Sequence, residues 1–184
     1  MIAIRFIFET LLQFLLVTVF LLRVVLPLVR ADSRNPFSQG ILQLTNPLVL
    51  PLRRVLPPIG KFDTASLAAL LLVQAATTAI LWVLGAYQLN TGVQFVHVML
   101  VRLVLSLLLL YRFALFIYIL LSWVAPNTYS PGSRLLTSLC EPLLQPVRRL
   151  IPPIAGWDLS ALFVLIGLQA LSLLVAGTLS SGFL

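Results

Sequence analysis

Four long runs of apolar residues dominate the chain, and few charges interrupt them. They extend roughly from Ile4 to Val29, Thr64 to Leu89, Val93 to Ala125 and Leu159 to Leu184. A helix needs about 20 apolar residues to cross the hydrocarbon core of a bilayer, so each run predicts one transmembrane helix. The first run is longer than the apolar core of a signal peptide and lacks a small-x-small cleavage site, so we expect it to be retained. The pattern predicts an all-α membrane protein with four spans.

Between the spans of each half lies a polar, proline-rich segment that occurs twice. NPLVLPLRRVLPPIGKFD begins at Asn46, and EPLLQPVRRLIPPIAGWD begins 95 residues later at Glu141. At this offset, and without a gap, Pro47, Pro51, Arg53, Arg54, Pro57, Pro58, Asp63 and Gln74 align with Pro142, Pro146, Arg148, Arg149, Pro152, Pro153, Asp158 and Gln169. Such a series of identical residues at one offset indicates an internal duplication. We predict one repeat in residues 1–90 and a second in 91–184.

Each repeat crosses the membrane twice, so both repeats have the same orientation. We therefore predict two tandem hairpins, related by a pseudo-two-fold axis along the membrane normal rather than by an inverted arrangement.

The segment that joins the two spans of a repeat, here called the elbow, comprises residues 35–63 in the first repeat and 130–158 in the second. Each elbow is predicted to hold two short helices. A capping residue followed by proline marks a helix start. Such pairs occur at Asn35-Pro36, Asn46-Pro47 and Ser130-Pro131, and Glu141-Pro142 is a related pair. The later helix of each elbow is amphipathic, and a Pro-Pro pair ends it because proline lacks the N–H that a helix needs.

The elbow pattern favours a helix in the membrane interface, with an arginine pair directed toward lipid headgroups. The pairs are Arg53-Arg54 and Arg148-Arg149. Juxtamembrane arginines commonly contact anionic phospholipid, and a docking site for a membrane or cytoplasmic protein is an alternative compatible with it. The aspartates that follow the elbows, Asp63 and Asp158, are predicted to cap the next span.

Charge fixes the predicted orientation. Only 9% of the residues are charged, against about 25% in soluble proteins, and the net charge is +7. In a soluble protein this excess would suggest nucleic acid, but cations beside spans mark the cytoplasmic side. The two loops that contain the elbows carry eight Lys and Arg, whereas the hairpin YQLNTGV carries none. We therefore expect a membrane protein with both elbows cytoplasmic, both termini extracytoplasmic, and no direct contact with nucleic acid.

Ionisable and amide side chains inside spans are candidates for function because they are costly there. Glu9 is expected to pair with Arg5, Arg102 or both. A second group, Gln74, Arg112 and Gln169, is expected near the bilayer centre, either as hydrogen-bonding contacts between helices or as an anion site. His97 and Met99 are potential haem ligands, although two residues apart on a helix they point in different directions.

The sequence offers no nucleophile–base pair, CxxC motif, His/Cys cluster or glycine-rich phosphate loop. We therefore predict no enzymatic activity, no bound metal and no cofactor. The single cysteine, Cys140, excludes an intrachain disulfide.

The duplicated pattern P-L-x-x-P-x-R-R-x-x-P-P-I, flanked by spans, resembles the YggT family of bacterial membrane proteins. Its plastid relatives include the YlmG proteins and a factor for haem attachment to cytochrome b6. The resemblance implies a location in the bacterial inner membrane, and links to osmotic stress, to cell division or nucleoid organisation, and to assembly of membrane complexes. Three hypotheses follow: a non-catalytic scaffold or assembly factor that binds lipid and a partner, an oligomeric channel or transporter for ions or osmolytes, and haem handling.

Overall fold

The computed structural model describes residue 7 and residues 9–58, 63–87, 89–124, 130–150 and 159–181. Every regular element in these ranges is a helix, which confirms the predicted all-α class. The first span contains a π-helix, Thr10–Val17, that continues as α1, Thr18–Leu28. The helices that follow are α2 (Pro36–Val55), α3 (Thr64–Val83), α4 (Gly92–Val124), α5 (Pro131–Leu150) and α6 (Leu159–Ser181).

Four of the described helices are long and apolar enough to cross a membrane, as predicted: the first span, α3, α4 and α6. The second span ends at Val83, six residues before the predicted end at Leu89. Gly85 explains the difference, because its φ of +72° is a conformation that glycine adopts without strain. The N–H of Gly85 donates to Trp82 O at 2.9 Å, and the N–H of Ala86 donates to Leu81 O at 2.8 Å. This pair of bonds is a Schellman motif, which closes a helix.

The prediction of two short helices in each elbow is wrong. Each elbow contains one 20-residue helix, α2 or α5, that continues through both internal prolines. A proline in a helix leaves the carbonyl four residues earlier without its usual donor. Here the prolines recur at a spacing of four residues on the exposed side of the helix, where such carbonyls are accessible to other donors; they are Pro47 and Pro51 in α2, and Pro142 and Pro146 in α5. The prolines are therefore tolerated inside α2 and α5, where the sequence pattern predicts that a helix ends.

The end of the first elbow helix agrees with the prediction. Helix α2 stops at Val55, and Pro57 and Pro58 are not helical. The hydroxyl of Thr64, at the start of α3, donates to Pro57 O at 2.8 Å. The corresponding Pro152 and Pro153 lie outside the described residues.

The chain packs as two compact units. The first unit comprises residues 1–24 and 40–107, and the second comprises residues 25–39 and 108–184. Val17, Val49 and Val98 are fully buried in the first unit, as are Leu115, Cys140 and Leu144 in the second. The predicted repeats, 1–90 and 91–184, concern duplication of the sequence rather than packing, and they stay a prediction.

Candidate functional site

In the first elbow, a buried arginine connects the first span to the elbow helix. Arg23 lies in the run LLRVV and is only 4% exposed. Its Nη1 donates to Thr45 Oγ1 at 2.5 Å, Asn46 Oδ1 at 2.9 Å and Leu42 O at 3.2 Å, all on α2. Its Nε donates to Ser66 Oγ at 2.9 Å, at the start of α3. One guanidinium thus joins three helices of the first unit.

The acceptors around Arg23 are all uncharged: two hydroxyls, an amide and a carbonyl. In the described part of the chain, no carboxylate lies within ion-pair distance of Arg23. Thr45 is itself fixed, because its hydroxyl donates to Ile41 O at 2.6 Å. A buried charge is tolerated only when its donors are satisfied, so this network positions α2 against the spans. The sequence shows Arg23 only as an arginine in an apolar run, and nothing in the repeat indicates its partners.

The two arginines at the end of the first elbow helix have different environments. Arg53 forms an ion pair with Asp63, whereas Arg54 is exposed and has no partner among the described residues. Asp63 also caps α3 as predicted, accepting from Ser66 N at 3.3 Å and Ser66 Oγ at 2.7 Å. Burial by itself would raise the pKa of Asp63, but the hydrogen bonds from Ser66 and Arg53 outweigh it and lower the pKa.

The second elbow fixes its helix with its own arginine. Arg148 Nη1 lies 3.2 Å from Glu141 Oε2, and Nη2 donates to the Tyr118 hydroxyl on α4 at 3.0 Å. Arg149 is exposed, and no described residue pairs with it. Each elbow therefore holds one arginine of its pair in an ion pair and leaves the other exposed. Asp158, the predicted cap of the fourth span, lies outside the described residues.

Cys140 stands beside this cluster, fully buried on α5. Burial raises the pKa of its thiol to about 12, although the nearby Arg148 acts in the opposite direction. The thiol is thus protonated at neutral pH, which makes it a weak nucleophile. Cys140 acts as a small apolar side chain in the packing of the second unit.

Within the spans of the first unit, Arg102 forms the centre of a polar network. Its Nη1 lies 3.2 Å from Glu9 Oε1 and also contacts the Tyr87 hydroxyl. Its Nη2 donates to Gln13 Oε1 at 2.7 Å, and the guanidinium lies 5.3 Å from the centre of the Tyr87 ring. The structure thus brings together Glu9 and Arg102, one of the two pairings expected for Glu9. Arg5, the other expected partner, lies outside the described residues.

Gln13 extends the network to the predicted polar layer. Its Nε2 contacts Ser106 Oγ and lies 3.4 Å from Gln74 Oε1. Gln74 is fully buried, and its Nε2 lies 3.4 Å from Thr78 Oγ1. Sequence reasoning missed Gln13, although its position four residues after Glu9 places both on one helical face.

Two further predicted residues, Arg112 and Gln169, belong to the second unit. Arg112 Nη1 lies 3.4 Å from Ser172 Oγ, which donates to Gln169 O at 2.8 Å. Both predicted side chains are half-buried. The contact is a hydrogen bond between helices α4 and α6, and the suggested anion site stays a prediction.

The predicted haem ligands lie on α4. His97 is exposed and Met99 is half-buried. Across the described ranges, no group of three or more His, Cys, Asp or Glu side chains could hold a metal ion. Haem binding by these residues stays a prediction.

Comparison with known proteins places this architecture in a family. A family model described as CCB3/YggT matches residues 1–84 and 98–179. An uncharacterized protein of Pseudomonas aeruginosa is 41% identical over 162 residues, covering 88% of this chain and 82% of the relative. An uncharacterized protein of Vibrio alginolyticus is 36% identical over 156 residues, covering 84% of each chain.

The Escherichia coli K12 protein YggT is 32% identical over 173 residues, covering 89% of this chain and 84% of that protein. None of these three relatives carries the name of an enzyme. No solved structure matches the chain. The two matched segments, each with two spans and an arginine elbow, show that the chain belongs to the CCB3/YggT family.

Proposed function

We propose that this protein is a non-catalytic integral membrane scaffold or assembly factor, whose two elbows bind anionic phospholipid and a membrane or cytoplasmic partner. The observation that carries the proposal is one exposed arginine in each elbow, Arg54 on α2 and Arg149 on α5, that has no partner among the described residues. Both lie in the last turn of a helix that polar contacts fix to the spans, buried at Arg23 and half-buried at Arg148. The elbows are thus rigid supports that each present a cation.

Arg53 is exposed as well, but only the two arginines without a described partner account for the expected attraction to lipid. Each cation near an anionic membrane surface contributes about 1 kcal/mol. Arg53 and Arg148 are already paired with carboxylates, so their charges are largely compensated. Arg54 and Arg149 together then contribute about 2 kcal/mol. Two sites on one chain also raise the effective concentration for a target that reaches both.

The exposed apolar side chains of the first elbow support an interfacial position. Phe37, Leu44, Leu50 and Val55 are each more than half exposed. A helix with a charged end and exposed apolar residues suits the boundary between headgroups and acyl chains.

The test compares lipid retention by matched double variants of the full chain. Wild-type protein, Arg54→Gln/Arg149→Gln and Arg53→Gln/Arg148→Gln are extracted from bilayers that contain phosphatidylglycerol and phosphatidylcholine in equal amounts, and the retained lipids are measured by mass spectrometry. We expect the first double variant to lose most of its preference for phosphatidylglycerol, by up to about thirtyfold for 2 kcal/mol, and the second to lose less. Equal retention by all three proteins would contradict the lipid-binding role.

Partner binding is tested with the same variants. Crosslinking in native membranes, followed by capture of the full chain, is expected to yield a partner that is lost with Arg54→Gln/Arg149→Gln and only weakened with Arg53→Gln/Arg148→Gln, which loosens the contacts of the elbow helices. The resemblance suggests that such a partner acts in osmotic stress or cell division. A partner that is retained by all variants would indicate that the elbows do not dock it.

Orientation is part of the proposal: both elbows cytoplasmic and both termini extracytoplasmic in a bacterial inner membrane. The distribution of cations supports it. Arg54→Cys in intact cells is expected to resist an impermeant maleimide and to react after permeabilisation. The buried Cys140 does not compete in this assay. Labelling of Arg54→Cys from outside would reverse the orientation.

The Arg102 network favours a second candidate function, an oligomeric channel or transporter for ions or osmolytes. Its charged and amide groups lie within the spans, where they are costly. Proteoliposomes would then release a small osmolyte after osmotic downshift, and Arg102→Met would suppress the release. Haem handling, the third candidate, predicts a Soret absorbance that His97→Ala removes.

A further inference from the structure

A cavity of about 330 Å³ lies where the elbow helices α2 and α5 begin. Its lining includes Asp32, Arg34 and Asn35 on one side, and Arg134 and Ser138 on the other. All of these residues belong to the second unit. The cavity lies at the opposite end of the elbow helices from the arginine pairs.

The two helix starts are held together by a hydrogen bond. Asn35 Nδ2 donates to Pro131 O at 2.6 Å, while Asn35 Oδ1 accepts from Phe37 N at 3.0 Å. The amide of Asn35 therefore caps α2 and contacts the first residue of α5 at the same time. The cavity is therefore lined by the turn before α2, which contains Asp32, Arg34 and Asn35, and by the first turns of the two 20-residue helices.

The electrostatics of the cavity favour an anion. Arg34 and Arg134 are exposed, and neither guanidinium has a partner among the described residues. The N-termini of α2 and α5 add positive partial charge. Asp32 is the one acidic residue in the lining, and its Oδ1 accepts from Arg34 N at 2.9 Å. The lining thus carries two guanidinium charges against one carboxylate.

The same turn of α2 has hydrogen-bonding capacity that the described protein does not use. Ser38 is 4% exposed, and its hydroxyl has no hydrogen-bond partner in the part of the chain that the structure describes. The equivalent residue of the second repeat, Ser133, exchanges hydrogen bonds with Ser130 instead.

We propose that this cavity, which we call the arginine cavity, binds a phosphate group. Guanidinium groups present forked donors that match the oxygens of phosphate, and the partial positive charge of the two helix N-termini adds to their attraction. Arg34 follows the end of the first span by six residues, so an anionic lipid headgroup is within reach, and a soluble phosphate compound offers the same chemistry. The arginine cavity uses other residues than Arg54 and Arg149, and it does not depend on the scaffold function.

The experiment measures thermal unfolding of the full chain in a neutral detergent. Dioctanoyl phosphatidic acid and inorganic phosphate are titrated separately, with dioctanoylglycerol as the matched lipid without phosphate. A ligand that binds only the folded state raises the unfolding temperature. We expect phosphatidic acid to stabilise the protein and dioctanoylglycerol not to do so. Stabilisation by inorganic phosphate as well would assign a soluble source, and its absence would assign the lipid; both results support phosphate recognition.

Variants separate the arginine cavity from the elbow ends. Arg34→Gln/Arg134→Gln is expected to raise the apparent Kd for phosphatidic acid at least about tenfold, the equivalent of 1.4 kcal/mol. Arg54 and Arg149 carry the lipid preference proposed above, so the comparison is repeated in the Arg54→Gln/Arg149→Gln protein, where Arg34→Gln/Arg134→Gln is expected to cause the same tenfold loss. Asp32→Asn removes the carboxylate charge and is expected to tighten binding. Arg134→Gln alone preserves the test if the double variant does not fold, because Arg134 is an exposed side chain.

Two results would overturn the proposal. One is the absence of stabilisation by either phosphate compound. The other is equal stabilisation of the wild type and a correctly folded Arg34→Gln/Arg134→Gln variant, which would mean that phosphate acts elsewhere.

Discussion

In the first elbow a cation on the span donates to the elbow helix, whereas in the second elbow a cation on the elbow helix donates to the span. The positions correspond at the 95-residue offset: Arg23 to Tyr118, and Asn46 to Glu141. Arg23 reaches Asn46 in one unit, while Arg148 reaches both Tyr118 and Glu141 in the other. Both units have a polar contact between span and elbow helix, but the arginine lies on the span in the first unit and on the elbow helix in the second.

In each unit, the residue at the span position corresponds to a different set of contacts for the elbow arginine. A buried arginine at the span position leaves the elbow arginine, Arg53, to pair with Asp63. A tyrosine at the span position needs a donor, and the elbow arginine, Arg148, supplies it. In both elbows the second arginine of the pair remains exposed. The exposed arginine is therefore the feature that both solutions share, although each holds its elbow helix by different contacts.

The largest expected effect separates the two connections. Arg23→Leu removes four hydrogen bonds from a buried guanidinium and leaves buried acceptors unsatisfied, so we expect a loss of about 3 kcal/mol of stability. Tyr118→Phe, the matched change in the second elbow, removes one hydroxyl and should cost about 1 kcal/mol. Both are measured by thermal unfolding in detergent. Equal losses of stability in the two variants would mean that the Arg23 network stabilises the protein no more than the Tyr118 hydrogen bond does.

The next effect concerns Asp63, the partner that Arg53 uses in the first elbow. Asp63→Ala removes the cap of α3 and should cost about 1 kcal/mol at pH 7. Because folding lowers the pKa of Asp63, its contribution is complete above the unfolded value of about 3.9 and is lost as pH falls through the lower folded value. The difference in unfolding temperature between wild type and Asp63→Ala should therefore shrink below pH 4.

Asp63→Asn is the control for that experiment. Asparagine caps helices about as well as aspartate but does not titrate in this range, so the variant should keep most of the cap and show no loss at low pH. A wild-type protein whose stability advantage over Asp63→Ala did not change with pH would contradict the assignment.

The smallest expected effect concerns Cys140, which occupies the repeat position of Thr45. Thr45 accepts from Arg23, whereas Cys140 is buried and its thiol has a pKa of about 12. We expect no reaction with N-ethylmaleimide at pH 7.5 in the folded protein. Thr137→Cys, which places a thiol at an exposed position of the same helix, should react readily. Labelling of Cys140 at a similar rate would show that α5 opens in solution.

The sequence predicts the four spans because the mean hydropathy over 20 residues depends little on any single residue. The predicted end of the second span at Leu89 is wrong, because the effect of Gly85 on the helix end depends on one backbone angle. The predicted start of a second elbow helix at Asn46-Pro47 is also wrong, because a proline on an exposed helix face destabilises the helix less than a buried proline does. The pairing of Glu9 with Arg102 could be predicted from equal depth, since the offset aligns their helices.

The contacts of Arg23, by contrast, join residues 19 to 43 positions apart on three helices. They depend on how the elbow helix lies against the spans, which no local pattern encodes. Gln13 was missed for a related reason, because a single amide in an apolar run gives little signal until Arg102 is placed beside it.

The π-helix of the first span has a consequence for chain length. An i→i+5 hydrogen bond places more residues in each turn than an i→i+4 bond does, so residues 10–17 hold slack that an α-helix lacks. Deleting one residue there leaves every remaining side chain chemically the same. If the stretch returns to α-helical turns, the slack absorbs the deletion and Glu9 still faces Arg102; if it keeps the wider turns, Glu9 turns by one helical position and faces away. Reading-frame-preserving deletions in this stretch, rather than substitutions, therefore probe whether the pairing depends on the direction of the carboxylate or only on its presence.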